Sequence, residues 1–218
     1  MNYKALVDHT LLKSDTSVAE INKVCHEAIE NQYYSVCISP YYVPVCVQLL
    51  KDTPIKVATV IGYPMGYACL QSKLDEIADA VKNNVDELDV VLNISAVKNG
   101  DWSYIQEEIE AVVRIAKSNN KVIKLIFEYE LCTFEEWTTL IEMCNTSGTD
   151  FVKTSTGNNH YSVTANDIAM IREKLDKPIG IKASGGIRTF EQLRSLVAAG
   201  ATRIGTSSAI KIFSESAC

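Results

Sequence analysis

The chain has 218 residues, of which 47% are hydrophobic and 22% are charged, a composition typical of one globular domain with enough apolar residues for a full core. The formal net charge is -6, and lysine and arginine are spread along the sequence, so no basic cluster indicates binding to nucleic acid or to an anionic membrane. We therefore expect a single domain over residues 1–218 that holds any anion through local contacts.

The cysteine pattern and the lack of a membrane-spanning or signal segment predict a cytoplasmic location. The seven cysteines are an odd number, lie mostly in apolar stretches and include no Cys-x-x-Cys pair, so we expect free buried thiols in a reducing compartment. No apolar run approaches the length of a membrane span, and the first residues lack the apolar block of a signal peptide. The three histidines are not at metal-ligand spacing, so we expect no metal site.

Short apolar or β-branched runs alternate along the chain with longer stretches of helical periodicity. Eight runs are predicted as strands: ALVDHT, YSVCIS, KVATVIG, ELDVVLN, KLIFEYE, DFVKTS, IGIKAS and TRIGTS. Eight βα repeats in a chain of this length predict an α/β fold, a compact (β/α)8 or TIM barrel, and an open doubly wound sheet is the alternative. That alternative favours a glycine fingerprint after the first strand, which the segment DHTLLKSD lacks.

Helix boundaries are marked by local signals. Three segments carry a capping box, in which a Ser or Thr is followed three residues later by Glu or Gln: Ser17 with Glu20, Thr133 with Glu136, and Thr189 with Gln192. Gly200 suits a helix end. After Gln71, apolar residues recur at helical spacing: Leu74, Ile77, Ala78 and Val81. This pattern predicts a helix that covers the sheet, with Lys73, Glu76 and Lys82 facing water.

Three ionisable residues lie at or near predicted strand ends: Asp89 in ELDVV, Lys153 in DFVKTSTG and Lys182 in IGIKASGG. A strand-end lysine is usually solvated or ion-paired, but apolar residues flank both of these lysines. Because catalytic residues of such barrels lie where the strands end, we expect the three side chains to meet at the barrel mouth. If Asp89 points into the barrel, Glu87 and Val91 must do the same, while Leu88 and Val90 face the helices.

The two lysines predict a particular chemistry. An amine attacks a carbonyl only when it is unprotonated, and free lysine, with a reference pKa of about 10.4, is charged at neutral pH. A second ammonium nearby and partial desolvation favour the neutral amine, as in Schiff-base enzymes, so Lys182 is a candidate to activate Lys153. The resulting iminium withdraws electrons while a carboxylate such as Asp89 moves protons. These residues suffice for an aldolase.

The last two predicted strands are followed by glycine and serine. Ala183-Ser184-Gly185-Gly186 follows Lys182, and Gly205-Thr206-Ser207-Ser208 leads into a short final helix. Loops after strands 7 and 8 form the usual phosphate site of these barrels, because glycine lets backbone N–H groups approach the anion. The segments therefore predict a phosphorylated small molecule, although the same glycines could merely form tight turns.

Motifs along nearly the whole chain resemble the deoxyribose-phosphate aldolase family: DHTLLK, VCISPYYV, VATVIGYPMG, DELDVVLN, KLIFE, FVKTSTG, IGIKASGGIRT and GTSSA. The resemblance implies a class I aldolase, a lyase without metal or cofactor, that reversibly cleaves 2-deoxy-D-ribose 5-phosphate to D-glyceraldehyde 3-phosphate and acetaldehyde. In this family Lys153 looks like the Schiff-base lysine, Lys182 like the partner that makes its amine easier to deprotonate, and Asp89 like the aspartate of the proton relay.

The resemblance also implies further site residues. Support residues carried over by motif are Asp8, Thr10, Cys37, Lys124 and Thr156. Phosphate contacts carried over in the same way are Gly157, Gly185, Gly186, Gly205, Ser207 and Ser208. The implied partners are the phosphorylated sugar and acetaldehyde, with neither nucleic acid nor membrane, and a homo-oligomer is left open.

Two departures from the family pattern accompany these matches. Asn158 to Val163 stand where many members have an aromatic residue and a glycine-rich loop. The chain ends in SESAC, without the terminal tyrosine of some members, so we expect Asp89, Lys182 and water to carry proton transfer. Two alternative functions remain: another Schiff-base or transaldolase-like barrel with a different phosphorylated sugar, and a non-catalytic phosphosugar-binding barrel, which would need neither lysine.

Overall fold

The computed structural model describes residues 1–159 and 161–215. Parallel strands form a closed barrel in which each strand pairs with the next along the chain, and the last pairs with the first. The strands are β1 Val7–Leu11, β2 Ser35–Ile38, β3 Lys56–Ile61, β4 Glu87–Val91, β5 Val122–Ile126, β6 Phe151–Lys153, β7 Gly180–Ser184 and β8 Arg203–Thr206. The predicted (β/α)8 barrel is confirmed, and the open-sheet alternative is wrong.

The strands are separated by helices: α1 Val18–Asn31, α2 Val43–Leu50, α3 Leu70–Lys82, α4 Ile94–Lys98, α5 Trp102–Ser118, α6 Phe134–Ser147, α7 Ala165–Lys174, α8 Phe190–Ala198 and α9 Ala209–Glu215. All three predicted capping boxes are present, before α1, α6 and α8. A fourth, Thr164 with Asp167, precedes α7 and was not predicted because its acidic residue is Asp. Gly200 follows α8 with a φ of +118°.

Side chains of β4 alternate between the two faces of the barrel wall as predicted. Leu88 and Val90 belong to the apolar core that the helices cover. Glu87 and Asp89 point into the barrel, where both contact the ammonium of Lys124 on β5. The barrel interior is therefore charged at this level, and it needs charge compensation because it excludes water.

Each predicted run overlaps an observed strand with somewhat different bounds, and the largest difference is at the end of β5. The run KLIFEYE was predicted as strand to Glu130, but β5 ends at Ile126. Glu128 takes a left-handed backbone conformation with a φ of +39°, and Tyr129–Leu131 form a 3-10 turn. The apolar pattern continues past the point where the chain leaves the barrel, so hydrophobicity alone did not reveal the turn.

Helix α3 contradicts the prediction that Lys73 faces water. Lys73 is fully buried, donates to the carbonyl oxygen of Val91 at 2.7 Å and pairs with Glu108 of α5. The other oxygen of Glu108 accepts from the backbone N–H of Asn93 at 2.9 Å. Burial lowers the pKa of Lys73 and raises that of Glu108. Helical periodicity did not predict this ion pair because its acidic partner lies on another helix.

The thiols are distributed largely as predicted. Four cysteines are buried, Cys25, Cys37, Cys46 and Cys144, whereas Cys69 is exposed. The SESAC segment is described only as far as Glu215, so Cys218 lies outside the described residues, as does His160. Within the described ranges, no helix is both long and apolar enough to cross a membrane.

Candidate active site

A cavity of about 300 Å³ lies at the carboxyl ends of the strands. Nine predicted site residues line it: Thr10, Lys153, Thr156, Gly157, Gly185, Gly186, Gly205, Ser207 and Ser208. The other five lie in the barrel interior and are fully buried: Asp8, Cys37, Asp89, Lys124 and Lys182. Folding thus gathers all the predicted residues at one end of the barrel, in two groups that differ in their access to a ligand.

Lys153 is the last residue of β6 and reaches the cavity with only 3% of its surface exposed. Its Nζ lies 3.0 Å from Oδ2 of Asp89. Lys182, its register neighbour on β7, lies 2.6 Å from the same oxygen. Asp89 and Lys182 occupy mid-strand positions rather than the expected strand ends, so they lie deeper than the cavity surface.

Charged side chains in the barrel form a closed ring of alternating sign, the charge ring: Asp89, Lys182, Asp8, Arg203, Glu87, Lys124 and back to Asp89. The contacts are short, with Arg203 Nη1 2.8 Å from Asp8 and Lys124 Nζ 2.6 Å from Glu87. Its carboxylates and cations are equal in number, so the charge ring is neutral. Lys153 adjoins it as an additional cation.

The pKa shifts of five members of the charge ring favour their ionised forms: Asp8, Asp89, Lys124, Lys182 and Arg203. Burial opposes charge on each of these five side chains, but opposite charges outweigh it. For Asp89, burial is outweighed by Lys124, Lys153 and Lys182, which hold its pKa well below the usual range. For Lys182, burial is outweighed by Asp8 and Asp89, and its pKa is raised.

Among the described residues, Asp89 is the only carboxylate within ion-pair distance of Lys153, and Lys182 and Lys124 already contact Asp89. Lys153 thus has one ion-pair partner among the described residues, whereas Lys124 and Lys182 each have two. This amine also lines the cavity, whereas the other two do not. The site thus presents the amine of Lys153 to the cavity and holds the ammonium of Lys182 beside it.

Cys37 lies within the barrel beneath the cavity. Its Sγ is 3.9 Å from Oδ2 of Asp89, and burial raises the pKa of the thiol, so it stays protonated. Cys37 packs with Ala58 and Val60 in a small apolar cluster, against which Tyr63 is placed. Leu12 and Tyr63, which pack against this cluster, line the cavity.

The segment after Lys153 is held by two carboxyl groups that the sequence did not reveal. Glu128 accepts from the backbone N–H and the hydroxyl of Thr156. The hydroxyl of Ser155 lies 2.8 Å from Glu128 and 3.0 Å from Glu130, yet it has one proton to donate. Burial and the charge of Glu128 raise the pKa of Glu130, which favours a proton on Glu130 for the second contact.

Glycine is structurally required at one of the predicted phosphate positions. Gly186 has a φ of +69°, and a Cβ atom there would lie 2.6 Å from Oγ of Ser162. Gly185 also has a positive φ, of +101°. Gly157 has a φ of +84° but open space around it. The loop after β7 therefore brings its backbone close to its neighbours while it faces the cavity.

Two cations that line the cavity were missed by the sequence analysis, Lys13 and Arg188. Both lie inside motifs that carried the family resemblance, Lys13 in DHTLLK and Arg188 in IGIKASGGIRT, and these motifs were the available signal. Asn158 also lines the cavity, as does Tyr63, whose hydroxyl donates to the carbonyl oxygen of Thr156 at 3.1 Å. Neutral backbone donors are thus accompanied by positive side chains.

Within residues 1–159 and 161–215, no group of three His, Cys, Asp or Glu side chains is arranged to hold a metal ion. The buried carboxylates of the barrel are instead occupied by lysine and arginine. The arrangement favours chemistry carried by amines and carboxylates.

Comparison with known proteins gives matches over nearly the full length. Residues 4–215 match the family model described as DeoC/LacD family aldolase. A deoxyribose-phosphate aldolase of Thermoanaerobacter sp. (strain X514) is 44% identical over 216 residues, which cover 99% of this chain and 97% of the relative.

Solved structures agree with these matches. QR15, an aldolase, has a TM-score of 0.92 and 35% identity, and the match covers 99% of this chain and 96% of that one. A deoxyribose phosphate aldolase from Aeropyrum pernix, described as a unique tetrameric structure, has a TM-score of 0.91 and 29% identity, covering 99% of this chain and 91% of that one.

Proposed function

Since the chain belongs to the DeoC/LacD family of aldolases, we propose that it reversibly cleaves 2-deoxy-D-ribose 5-phosphate to D-glyceraldehyde 3-phosphate and acetaldehyde through a Schiff base on Lys153. The family expected from the sequence motifs is thereby confirmed. One observation carries the choice of nucleophile: Lys153 lines the cavity and shares its carboxylate, Asp89, with Lys182. That arrangement favours a neutral amine beside a retained positive charge.

The geometry supports the following course of the reaction. The amine of Lys153 attacks the C1 aldehyde of the open-chain sugar, and loss of water gives an iminium. Removal of the C3 hydroxyl proton breaks the C2–C3 bond, the electron pair moves to the iminium, and glyceraldehyde 3-phosphate leaves. The remaining enamine takes a proton at C2, and water releases acetaldehyde and the free lysine. We assign these proton transfers to Asp89 and Lys182 with water.

The glycine and serine residues that line the cavity suit the phosphate. We assign its contacts to backbone or hydroxyl groups of the residues expected from the motifs: Gly157, Gly185, Gly186, Gly205, Ser207 and Ser208. Lys13 and Arg188 line the same cavity and add positive charge, which a phosphate dianion requires when water is displaced. Thr10 and Thr156 shape the cavity wall, while Asp8, Cys37 and Lys124 support the reacting groups from within the barrel.

Borohydride reduction in the presence of acetaldehyde tests the proposal. Peptide mass mapping should find one ethyl adduct, on Lys153. Lys153→Arg should abolish both the adduct and turnover, because a guanidinium does not form the imine. Lys82→Arg, at an exposed helix position, serves as the matched control and should retain both. An adduct on Lys182 would reverse the assignment of the two lysines.

A substrate panel tests the alternative of another Schiff-base aldolase. Turnover of other phosphorylated aldols or of ketone donors, without turnover of deoxyribose 5-phosphate, would favour that alternative. A non-catalytic phosphosugar-binding barrel would bind the sugar phosphate but give no adduct at all.

We also propose that residues 1–218 form one catalytic domain that works in the cytoplasm as a homo-oligomer. The tetrameric description of the Aeropyrum pernix structure supports self-association. Exposed apolar side chains in loops at the carboxyl ends of β2 and β3 offer contact surface: Tyr41, Met65 and Tyr67. Light scattering on the purified chain measures its mass directly, and a monomer at micromolar concentration would contradict the proposal.

A further inference from the structure

Arg203 is a member of the charge ring that has no part in the proposed reaction. It is the first residue of β8, it does not line the cavity, and its side chain is only 6% exposed. Its Nη1 lies 2.8 Å from Asp8 and 3.1 Å from Glu87. Its guanidinium carbon is 3.4 Å from the centre of the Tyr34 ring, which covers it at the end of the barrel away from the cavity.

Arginine differs from the other cations of the charge ring because it does not lose its proton in proteins. A permanent charge at this position fixes the charge of the whole ring. Asp8 and Glu87 are both neutralised in part by Arg203, so each needs only one lysine to complete its pairing. Lys182 pairs with Asp8 and Lys124 pairs with Glu87, and these contacts hold both lysines in place.

We propose that Arg203 is a positioning residue of the aldolase reaction, which closes the charge ring and so leaves Lys153 as the cation in excess. The inference rests on the proposed Schiff-base role of Lys153. It assigns a function to a side chain that touches neither the cavity nor any reacting atom.

The titratable and charged groups that face Lys153 come from several strands. Asp89 of β4 and Lys182 of β7 are nearest, Cys37 of β2 acts on the same carboxylate, and Lys124 of β5 and Asp8 of β1 follow. Tyr63 also lines the cavity and keeps its proton, because burial raises its pKa. Substitutions at Arg203 and Glu87 change the number of charges in the charge ring and leave the other groups that face Lys153 in place.

Two substitutions with opposite charge effects test the inference. Arg203→Met removes a cation, so the carboxylates of the charge ring outnumber its cations. The excess negative charge favours protonated Lys153. The pH midpoint of acetaldehyde trapping should then move up by roughly one to two pH units. Glu87→Gln removes an anion, disfavours protonated Lys153, and should move the midpoint down by a similar amount.

Two further variants separate charge from packing. Arg203→Lys keeps the charge and should leave the midpoint within about half a pH unit of the wild-type value. The double variant Arg203→Met/Glu87→Gln restores the balance and should return the midpoint toward wild type, even if its rate is lower. If Arg203 had only a structural role, trapping would be slower in every variant. The pH midpoints of Arg203→Met and Glu87→Gln would then not move in opposite directions. If Arg203→Met does not fold, Glu87→Gln and Arg203→Lys still give a shifted and an unshifted midpoint.

The trapping assay distinguishes failure of this inference from failure of the proposed function. An adduct on wild-type Lys153 with midpoints that coincide in Arg203→Met, Glu87→Gln and wild type would overturn the role of Arg203 alone. Absence of an adduct on wild-type Lys153 at every pH would overturn the Schiff-base proposal and this inference with it.

Discussion

Replacement of Lys182 by methionine tests how the second ammonium acts on the first. Lys153 and Lys182 lie 3.0 and 2.6 Å from the same oxygen of Asp89, so their nitrogens are at most about 6 Å apart. Two unit charges at that distance interact by about 3 kcal/mol at an effective dielectric constant of about 20. This energy corresponds to about two pH units.

Lys182→Met should therefore move the pH midpoint of acetaldehyde trapping up by about two units. At a fixed pH below that midpoint, the trapping rate should fall about 100-fold, and it should recover in part at high pH. The measurement is the initial rate of borohydride-trapped adduct at Lys153 across a pH series. Circular dichroism establishes that the variant is folded, because loss of one partner of a buried ion pair costs about 3–5 kcal/mol.

Lys73→Met provides the matched control, since it also removes a buried ammonium paired with a carboxylate but lies outside the barrel interior. It should leave the midpoint unchanged. A folded Lys182→Met variant with the wild-type midpoint would refute the electrostatic argument. An equal shift in the Lys73→Met variant would show that the effect arises from general loss of stability.

Three further expectations concern the phosphate loop, the helix layer and the carboxyl pair. Gly186→Val should raise the KM for deoxyribose 5-phosphate about ten- to 100-fold through lost phosphate hydrogen bonds, while acetaldehyde trapping persists; Gly100→Val, with a similar φ of +66° but no close neighbour, should leave KM unchanged. Urea unfolding of Lys73→Met should show that the free energy of unfolding falls by about 3–5 kcal/mol, because Glu108 stays buried without its cation. The double variant Lys73→Met/Glu108→Gln should recover part of this free energy. The raised pKa of Glu130 means that the folded state binds a proton the unfolded chain releases, so stability should fall as pH rises from the ordinary glutamate pKa to the raised one. Glu130→Gln should remove this fall, and an unchanged dependence of Tm on pH would contradict a protonated Glu130.

Several features of the protein follow from the sequence by itself because they depend on residues close together in the chain. The alternation of short apolar runs with helical periodicity predicts the barrel, and β4 has the predicted alternation of Leu88 and Val90 outside with Asp89 inside. Capping boxes such as Ser17 with Glu20 mark helix starts since the hydrogen bonds span three residues. The motif around Lys153 identified the family, and the family match confirms it.

The tertiary structure decided the features that depend on partners far apart in the chain. Arg203 contacts Asp8 across 195 positions, and Lys73 contacts Glu108 across 35. A local pattern shows that a residue is charged but not which charge will oppose it after folding. For this reason Lys73 was predicted in water, and Arg203 and Glu128 were not assigned to the site.

Closure of the barrel forms the long-range contacts that local sequence patterns did not predict. Pairing of β8 with β1 brings the first and last parts of the chain together and completes the charge ring, whose members come from β1, β4, β5, β7 and β8. Their ionisation depends on burial and on one another, and neither exists in the extended chain. The sequence therefore predicted Lys153 as the reacting lysine, whereas closure of the barrel assembled the charge ring beside which Lys153 is an additional cation.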